Sequence, residues 1–341
     1  MNDPRSTAPA RRPASTPRRA ALGLAVGLLA GIAAASGPAH AQPPKGNVRI
    51  TSAFPTGSGP DVVARLVGDK LQARWGVPVV VESKPGGAGA VAINAMKAAP
   101  PTGNDLVVVD VGNVSINPLI FKRLSYDPDK DLVPVALLYK TAFFVAVAAD
   151  SPYRTFKDLM AAAGNKAAPL RYGSNAVGGP IHLSSARLEH ALGTEMTHVP
   201  FKETSQLYAS VSTGEVSWAY GSIATAGRLV EAKRLRFLAV ADRVRSPAMP
   251  NVPTLEEAGA PKGLDALSWV AVMAPRGTPP GVIVEINRAI NEVVVQPDIA
   301  ERFAGFGFVA SPGPAQQVAD LAQGDRARYA EVLKTVPVSV D

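Results

Sequence analysis

The stretch from Val48 to Trp75 constrains the fold most, because it reads as a strand, a glycine-rich loop and a helix in succession. Val48 and Ile50 alternate with polar residues, which is the period of a half-buried strand. After the loop, apolar residues recur on one helix face, at Val63, Leu66, Val67 and Leu71. The first amides of such a helix lack internal partners, and its dipole is positive there. The stretch therefore predicts either a site for a small anion, such as a carboxylate, or a tight turn that binds nothing.

The first 41 residues have the pattern of a secretory signal peptide. Five arginines precede the apolar run 20–35, four of them at Arg11, Arg12, Arg18 and Arg19, and Ala39-His40-Ala41 fits a cleavage site. Arg18-Arg19 lacks the usual flanking residues of a twin-arginine signal, so we favour export by the ordinary secretory route. We expect cleavage after Ala41, which leaves 300 residues with a formal net charge of +3 instead of +7. No further run is long enough to cross a bilayer, so we expect a periplasmic protein that is not embedded in the membrane.

Composition excludes several classes of function. The chain has no cysteine, which removes thiol catalysis, cysteine-ligated metals and disulfides. Once the signal peptide is removed, no basic stripe remains that would indicate a nucleic-acid partner. At 47% hydrophobic residues, the mature chain can build a large core, and its length is one at which chains often divide into two domains.

The opening unit recurs in the second half of the chain. Residues 170–174 read as a strand, residues 175–180 as a glycine-rich loop, and residues 181–192 as a helix. Strands alternate with helices elsewhere too, which predicts parallel sheets with right-handed crossovers. Two α/β lobes that each carry such a loop indicate a shared cleft, because ligands of open α/β sheets lie beyond the carboxyl ends of the strands.

Three motifs allow other interpretations. Residues 87–92 match the dinucleotide pattern G-x-G-x-x-A, with Asp110 at a suitable distance, but they follow the second strand rather than the first, so a close helix–strand turn explains them better. Ser58 and Ser174 lie outside any G-x-S-x-G motif, and we interpret them as hydroxyl donors to a ligand rather than nucleophiles. The three mature histidines, His182, His190 and His198, form no metal motif.

Ordered segments along nearly the whole mature chain resemble the substrate-binding components of tripartite tricarboxylate transporters, the Bug-type receptors. The segments that carry the resemblance are Phe54–Asp61, Val81–Gly89, Ile116–Pro118, Tyr126–Asp131, Val133–Leu137, Tyr172–Ser174, His182–Leu183, His198–Lys202, Arg245–Pro247, Asn251–Thr254, Glu257–Gly259, Ser268–Trp269 and Ala274–Pro279. The resemblance implies an α/β chain with the type II periplasmic-binding-protein fold, in which two lobes joined by hinge strands enclose a ligand cleft. We expect residues 42–142 and 267–341 to form lobe 1 and residues 143–266 to form lobe 2.

The resemblance also implies a function and a site. The expected function is a receptor that captures a small carboxylate for a membrane transporter or a sensor, as a monomer without catalysis, cofactor or metal. The alternatives are an exported enzyme that uses the same cleft and a dinucleotide-binding oxidoreductase. The predicted ligand-binding residues are Phe54, Thr56, Gly57, Ser58, Gly59 and Asp61 in the first loop, Gly112 and Asn113 after the third strand, Ser174, Asn175, Gly178, Gly179 and His182 in the second loop, and Tyr220.

The chain departs from the family pattern at positions that bear on the ligand. Ser58 replaces a glycine of the first loop, and Pro60 removes one amide donor. In the strand 216–222, where relatives often carry an acidic residue, neither Ser217 nor Gly221 is acidic. That strand therefore offers no carboxylate to the ammonium group of an amino acid, and we expect the site to be less suited to amino acids than to other carboxylates.

Overall fold

The computed structural model describes residues 44, 46–336, 338 and 340, so the predicted signal peptide lies outside the described residues. Its strands are β1 (Val48–Ser52), β2 (Val79–Ser83), β3 (Asp105–Asp110), β4 (Leu132–Ala142), β5 (Phe144–Ala148), β6 (Arg171–Ser174), β7 (Thr197–Pro200), β8 (Trp218–Gly221), β9 (Leu235–Val240), β10 (Leu267–Pro275) and β11 (Phe308–Ala310). Its α-helices are α1 (Gly59–Trp75), α2 (Ala90–Lys97), α3 (Asn117–Ile120), α4 (Pro128–Asp131), α5 (Phe156–Ala163), α6 (Pro180–Ala191), α7 (Thr204–Ser212), α8 (Ile223–Glu231), α9 (Pro280–Val294), α10 (Pro297–Phe306) and α11 (Gln316–Thr335). A 3₁₀ turn (Gly87–Gly89) and a π-helix (Gly112–Ile116) complete the set.

The strands form two sheets of similar arrangement, with six strands in the first and five in the second. The first sheet has the order β2-β1-β3-β10-β4-β11, and the second has the order β7-β6-β8-β5-β9. In each sheet, three parallel strands connected through helices lie beside one antiparallel strand, which is β10 in the first sheet and β5 in the second. The prediction of parallel pairing is therefore confirmed for the three helix-connected strands of each sheet and is wrong for β10 and β5. The chain enters them from the other sheet, without a helical crossover that would make the pair parallel.

Two crossings connect the sheets. The chain leaves β4 at Ala142 and enters β5 at Phe144, and it returns through Ala266 into β10 at Leu267. The crossings are bonded to each other, because Leu267 pairs with Ala142 and the Phe143 N–H donates to the Ala266 carbonyl at 3.0 Å. The two sheets are thus joined by a short ribbon of two chain segments.

The register at the crossings determines which ends of the strands meet. Strand β4 runs in the same direction as β3 and β1, since β10 is antiparallel to both β3 and β4. Phe144, the first residue of β5, pairs with Gly221, the last residue of β8. The carboxyl ends of the parallel strands in both sheets therefore lie on the side of the crossings, and the loops that follow those strands lie beside the gap between the sheets.

Helices cover both faces of each sheet and bury the core. In the first sheet, α1 and α9 cover one face with side chains such as Val67 and Ile290, while α2 and α11 cover the other with side chains such as Met96 and Val318. Helix α11 also contacts α6 of the second sheet, and Leu183 of α6 is fully buried within the core cluster of the first. No helix in the described part of the chain is long and apolar enough to cross a membrane.

Three elements beside the gap were not predicted from the sequence, namely α8, α10 and β11. Strand β11 is only three residues long, and alternation over three residues is too short to be recognised. Its Phe308 nevertheless stacks on Tyr139 of β4, with 3.9 Å between the ring centroids. Long-range packing of this kind, rather than local pattern, fixes the strand.

Candidate functional site

The first glycine loop connects the carboxyl end of β1 to α1. Phe54 is half-buried, Thr56 and Gly57 are exposed, and Ser58 and Gly59 are partly exposed. Ser58 is the N-cap of α1, but its hydroxyl accepts no hydrogen bond from a helix N–H and instead donates to the Pro55 carbonyl at 2.7 Å. Among the described residues, no acceptor meets the N–H groups of Gly59 and Asp61, and Pro60 between them has none. This helix start therefore retains unused donors on the side of the gap.

Asp61 fixes the shape of this loop. Its buried carboxylate accepts hydrogen bonds from the Gly57 N–H at 2.9 Å and from Arg65 Nε at 3.0 Å, and it also accepts from the Ser83 hydroxyl. Burial by itself raises the pKa of Asp61, but the bonds from Arg65, Ser83 and Gly57 outweigh it and lower the pKa below its ordinary value. With its oxygens occupied in this way, the side chain positions Gly57.

The second glycine loop connects the carboxyl end of β6 to α6. Asn175 is exposed, Gly178 is buried and Gly179 is the N-cap of α6. The Gly178 N–H donates to Nδ1 of His182 at 2.9 Å, so the neutral ring of His182 carries its proton on Nε2. The N–H groups of Ile181 and His182 have no acceptor among the described residues, which makes this helix start the counterpart of the first.

A pair of stacked histidines supports the second loop. The rings of His182 and His198 are parallel, with 3.8 Å between their centroids, and Tyr172 stacks on His198. Burial, with a smaller contribution from His198, lowers the pKa of His182 to about 4, and burial also lowers the pKa of His198. Both rings are therefore neutral at neutral pH, and His182 can offer an Nε2–H donor without a positive charge.

Ser174 and His198 form a hydrogen-bonded pair that sequence reasoning did not find. Ser174 Oγ lies 2.7 Å from His198 Nε2, and it also donates to the Ala176 carbonyl at 3.0 Å. Since the carbonyl can only accept, the proton between Ser174 and His198 comes from the imidazole. His198 is therefore oriented as a donor rather than as a base, and Ser174, which is fully buried, is not exposed as a nucleophile.

The segment after β3 forms the third part of this edge. The Asn113 carboxamide is fully engaged, because its oxygen accepts from the Asp110 N–H at 3.1 Å and its nitrogen donates to the Ala88 carbonyl at 2.8 Å. A Cβ on Gly89 would lie 2.3 Å from Asn113 Nδ2. The G-x-G turn is thus a close-packing turn against this segment, and it follows β2, an edge strand of the sheet.

Tyr220 lies deeper than the loops. Its side chain is fully buried on β8, and its hydroxyl has no hydrogen-bond partner in the described structure. Burial raises the pKa of Tyr220 well above its ordinary value. Gly221 and Ser222 follow, and the Ser222 hydroxyl caps α8 by accepting from the Thr225 N–H at 3.3 Å.

The two lobes touch on both sides of this set of loops. On one side, Gly178 approaches Ile120 of α3, since a Cβ built on Gly178 would lie 2.7 Å from Ile120 Cδ1. On the other, Gly307 approaches Ile223 at the start of α8, where the corresponding distance to Ile223 Cδ1 is 2.6 Å. Phe308, next to Gly307, lies against Gly59 of the first loop. Ile120, Ile223 and Phe308 were not among the predicted residues, because contacts between lobes leave no local pattern.

The positive potential of the site comes from backbone dipoles. Segments 52–61, 110–117, 174–182 and 220–225 contain no lysine or arginine. A negatively charged group would be met by the amides and positive dipole ends of α1 and α6 and by neutral side-chain donors. No cluster of three or more histidine or acidic side chains with metal-binding geometry occurs in the part of the chain that the structure describes.

A groove of about 470 Å³ lies elsewhere, in the second lobe between the start of α5, strand β9 and residues 251–258. None of the predicted binding residues lines it. The glycine loops and this groove are thus separate features, and only the loops combine free amides with the carboxyl ends of the strands.

Comparison with known proteins identifies a family to which this chain is similar. Residues 63–338 match the model of the tripartite tricarboxylate transporter family receptor. A UPF0065 protein of Pseudomonas sp. strain P51 is 31% identical over 280 residues, which cover 82% of this chain and 83% of that protein. BugT of Bordetella pertussis is 26% identical over 288 residues, which cover 84% of this chain and 88% of BugT.

Solved structures share the fold. A Rhodopseudomonas palustris protein with adipate superposes with a TM-score of 0.77 at 27% identity, covering 87% of this chain and 99% of that protein. MatC of Rhodopseudomonas palustris with bound malate has a TM-score of 0.74 at 27% identity, covering 85% of this chain and 99% of MatC. The expected type II periplasmic-binding-protein fold is confirmed, and the chain belongs to the tripartite tricarboxylate transporter receptor family.

Proposed function

We propose that this protein is a periplasmic receptor that binds a small carboxylate between its two lobes and delivers it to a membrane transporter or a sensor, without catalysing a reaction. The observation that carries the proposal is the pair of helix starts, α1 and α6, whose unused N–H groups lie at the carboxyl ends of strands on the same side of the crossings. The two relatives crystallised with adipate and with malate support a carboxylate ligand.

The energetics fit a reversible receptor. A hydrogen bond from an amide or hydroxyl to a charged group contributes about 1.5–3 kcal/mol, so a few such bonds give micromolar binding after the cost of association. We assign residues 42–142 and 267–341 to one lobe and 143–266 to the other, with the crossings as the hinge. Closure around the ligand would then be a hinge motion.

The division of roles within the predicted set follows from the contacts. We assign ligand contact to the amides of Gly59, Asp61, Ile181 and His182. We also assign it to the Ser58 hydroxyl, which is partly exposed and would exchange its bond to the Pro55 carbonyl for one to the ligand. The side chains of Asp61, Asn113 and Ser174 are positioning groups, since each is buried and already hydrogen-bonded to other groups of the protein. The orientation of His198 toward Ser174 favours this role over nucleophilic catalysis.

The test is a binding assay on the mature protein with mono-, di- and tricarboxylates, by thermal shift and calorimetry. A ligand that binds only the folded state raises the melting temperature. Ser58→Ala should weaken the affinity about tenfold, which is the lower end expected for one bond to a charged group. Ser212→Ala is the matched control, because the Ser212 hydroxyl makes the same kind of bond to a carbonyl three residues earlier, at the end of α7. Binding of no carboxylate, or turnover of one, would contradict the proposal.

A further inference from the structure

Asp110 is an acidic residue on the ligand side of the first lobe that the proposed function does not use. It is the last residue of β3, the strand between β10 and β1 in the middle of the sheet. The sheet is covered by helices on both faces, yet Asp110 remains partly exposed. Its open side is therefore the end of the sheet, where the loops of the site lie.

The register places Asp110 beside the first glycine loop. Ser52 pairs with Val108 in the parallel β1–β3 ladder, so Phe54, two residues on, begins the loop level with Asp110. On the other side, Val270 of β10 pairs with both Asp110 and Tyr139, which puts these three residues in one row. Tyr139 stacks on Phe308, and Phe308 lies against Gly59. Asp110 thus lies at the same edge of the sheet as the first glycine loop.

No positive charge compensates this carboxylate. Its Oδ1 accepts the Asn113 N–H at 3.1 Å, and the Gly112 amide also contributes. It forms no ion pair with any lysine, arginine or histidine of the described chain, whereas Asp61 is paired with Arg65. Burial raises the pKa of Asp110, and the backbone amides partly offset this by favouring the charged form.

An unpaired carboxylate in this place discriminates between ligands. It repels a second negative group of a plain dicarboxylate, and it offers an acceptor to a positively charged group. We propose that Asp110 accepts the ammonium group of the ligand, so that the receptor takes an amino acid whose carboxylate binds the helix starts. This inference rests on the proposed function. It also supplies, from the end of β3, the carboxylate that the strand at 217–221 does not offer.

The test compares amino acids with matched acids that lack only the amino group. The pairs are aspartate and succinate, glutamate and glutarate, alanine and propionate, and phenylalanine and 3-phenylpropionate. Calorimetry on the mature wild-type protein should show at least one pair in which the amino acid binds ten or more times more tightly. Asp110→Asn should reduce that ratio to near one by weakening the amino acid alone. Asp69→Asn, an exposed position on α1, should leave the ratio unchanged.

The outcomes separate this inference from the proposed function. If the wild-type protein binds the deaminated acids as tightly as the amino acids, the role of Asp110 is refuted while carboxylate binding stands. An unchanged preference in folded Asp110→Asn refutes it as well. If neither member of any pair nor any other carboxylate binds, the proposed function fails, and this inference with it. The wild-type comparison requires no variant, so it decides the question even if Asp110→Asn does not fold.

Discussion

Replacing Gly178 by alanine would test the contact between the lobes directly. Gly178 has a φ of +77°, and an alanine Cβ there would lie 2.7 Å from Ile120 Cδ1 and 3.1 Å from Val338 Cγ1. Gly193 has a φ of +63° with nothing within 4 Å of its Cβ position. The two glycines thus share the left-handed backbone, but only Gly178 faces the other lobe.

The magnitudes follow from this difference. Alanine in the left-handed region costs about 1–2 kcal/mol, so Gly193→Ala should lower the free energy of unfolding by that amount. Gly178→Ala should lower the free energy of unfolding by about 1–3 kcal/mol more than Gly193→Ala does, because Ile120 is only 5% exposed and has little room to move away. If the overlap is relieved by separation of the lobes, closure around the ligand becomes less favourable, and the affinity falls tenfold for each 1.4 kcal/mol that closure then costs.

The assay is urea denaturation of both variants, of Ile120→Ala and of the double variant Gly178→Ala/Ile120→Ala, with calorimetry on the preferred carboxylate. Truncating Ile120 removes the overlap, so the two substitutions should not be additive. The decrease in the free energy of unfolding of the double variant should be smaller, by at least about 1 kcal/mol, than the sum of the decreases in the two single variants. Equal losses and unchanged affinities for Gly178→Ala and Gly193→Ala would refute the reasoning.

Three further predictions concern charge. Because the pKa of His182 is lowered to about 4, the protein has its full stability above the ordinary pKa of 6.5 and loses stability as the pH falls from 6.5 toward 4. Urea titrations at pH 7.5 and 5 should therefore show that the free energy of unfolding is about 2 kcal/mol smaller at pH 5, and His182→Gln should lack this decrease. Asp61→Asn should lower the free energy of unfolding by about 1.5–3 kcal/mol at pH 7, because the Asn side chain cannot pair with Arg65 as a charge. The difference from wild type should disappear in strong acid, where protonation removes the same charge from Asp61, and a difference that stays constant with pH would contradict this. Arg328→Met leaves Asp325 without its cation beside the Trp269 indole, so thermal melts should show a loss of about 3 kcal/mol at pH 8 that shrinks as the pH falls.

Much of the fold follows from local pattern. The strand–loop–helix units at Val48–Trp75 and Tyr172–Leu192 are visible because their periods are regular and their glycines and prolines mark the turns. Motif order along the chain also indicated the family. The antiparallel strands β5 and β10 were not anticipated, because direction within a sheet depends on which lobe the chain comes from.

The sequence by itself determined that two helices begin at glycine-rich loops with unused amides, since capping and backbone freedom are local properties. The tertiary structure decided which side chains those loops meet. It buried Asp61 on Arg65, turned His198 toward Ser174, and left Asp110 without a cation at the end of β3. Those contacts join residues 4 to 24 positions apart, or depend on the absence of a partner that could have come from anywhere in the chain. Asp61 and Arg65 are an i,i+4 pair within α1, which their spacing in the sequence could have indicated. The bond between Ser174 and His198 and the isolation of Asp110 carry no such local signal, because they are set by packing of the whole fold.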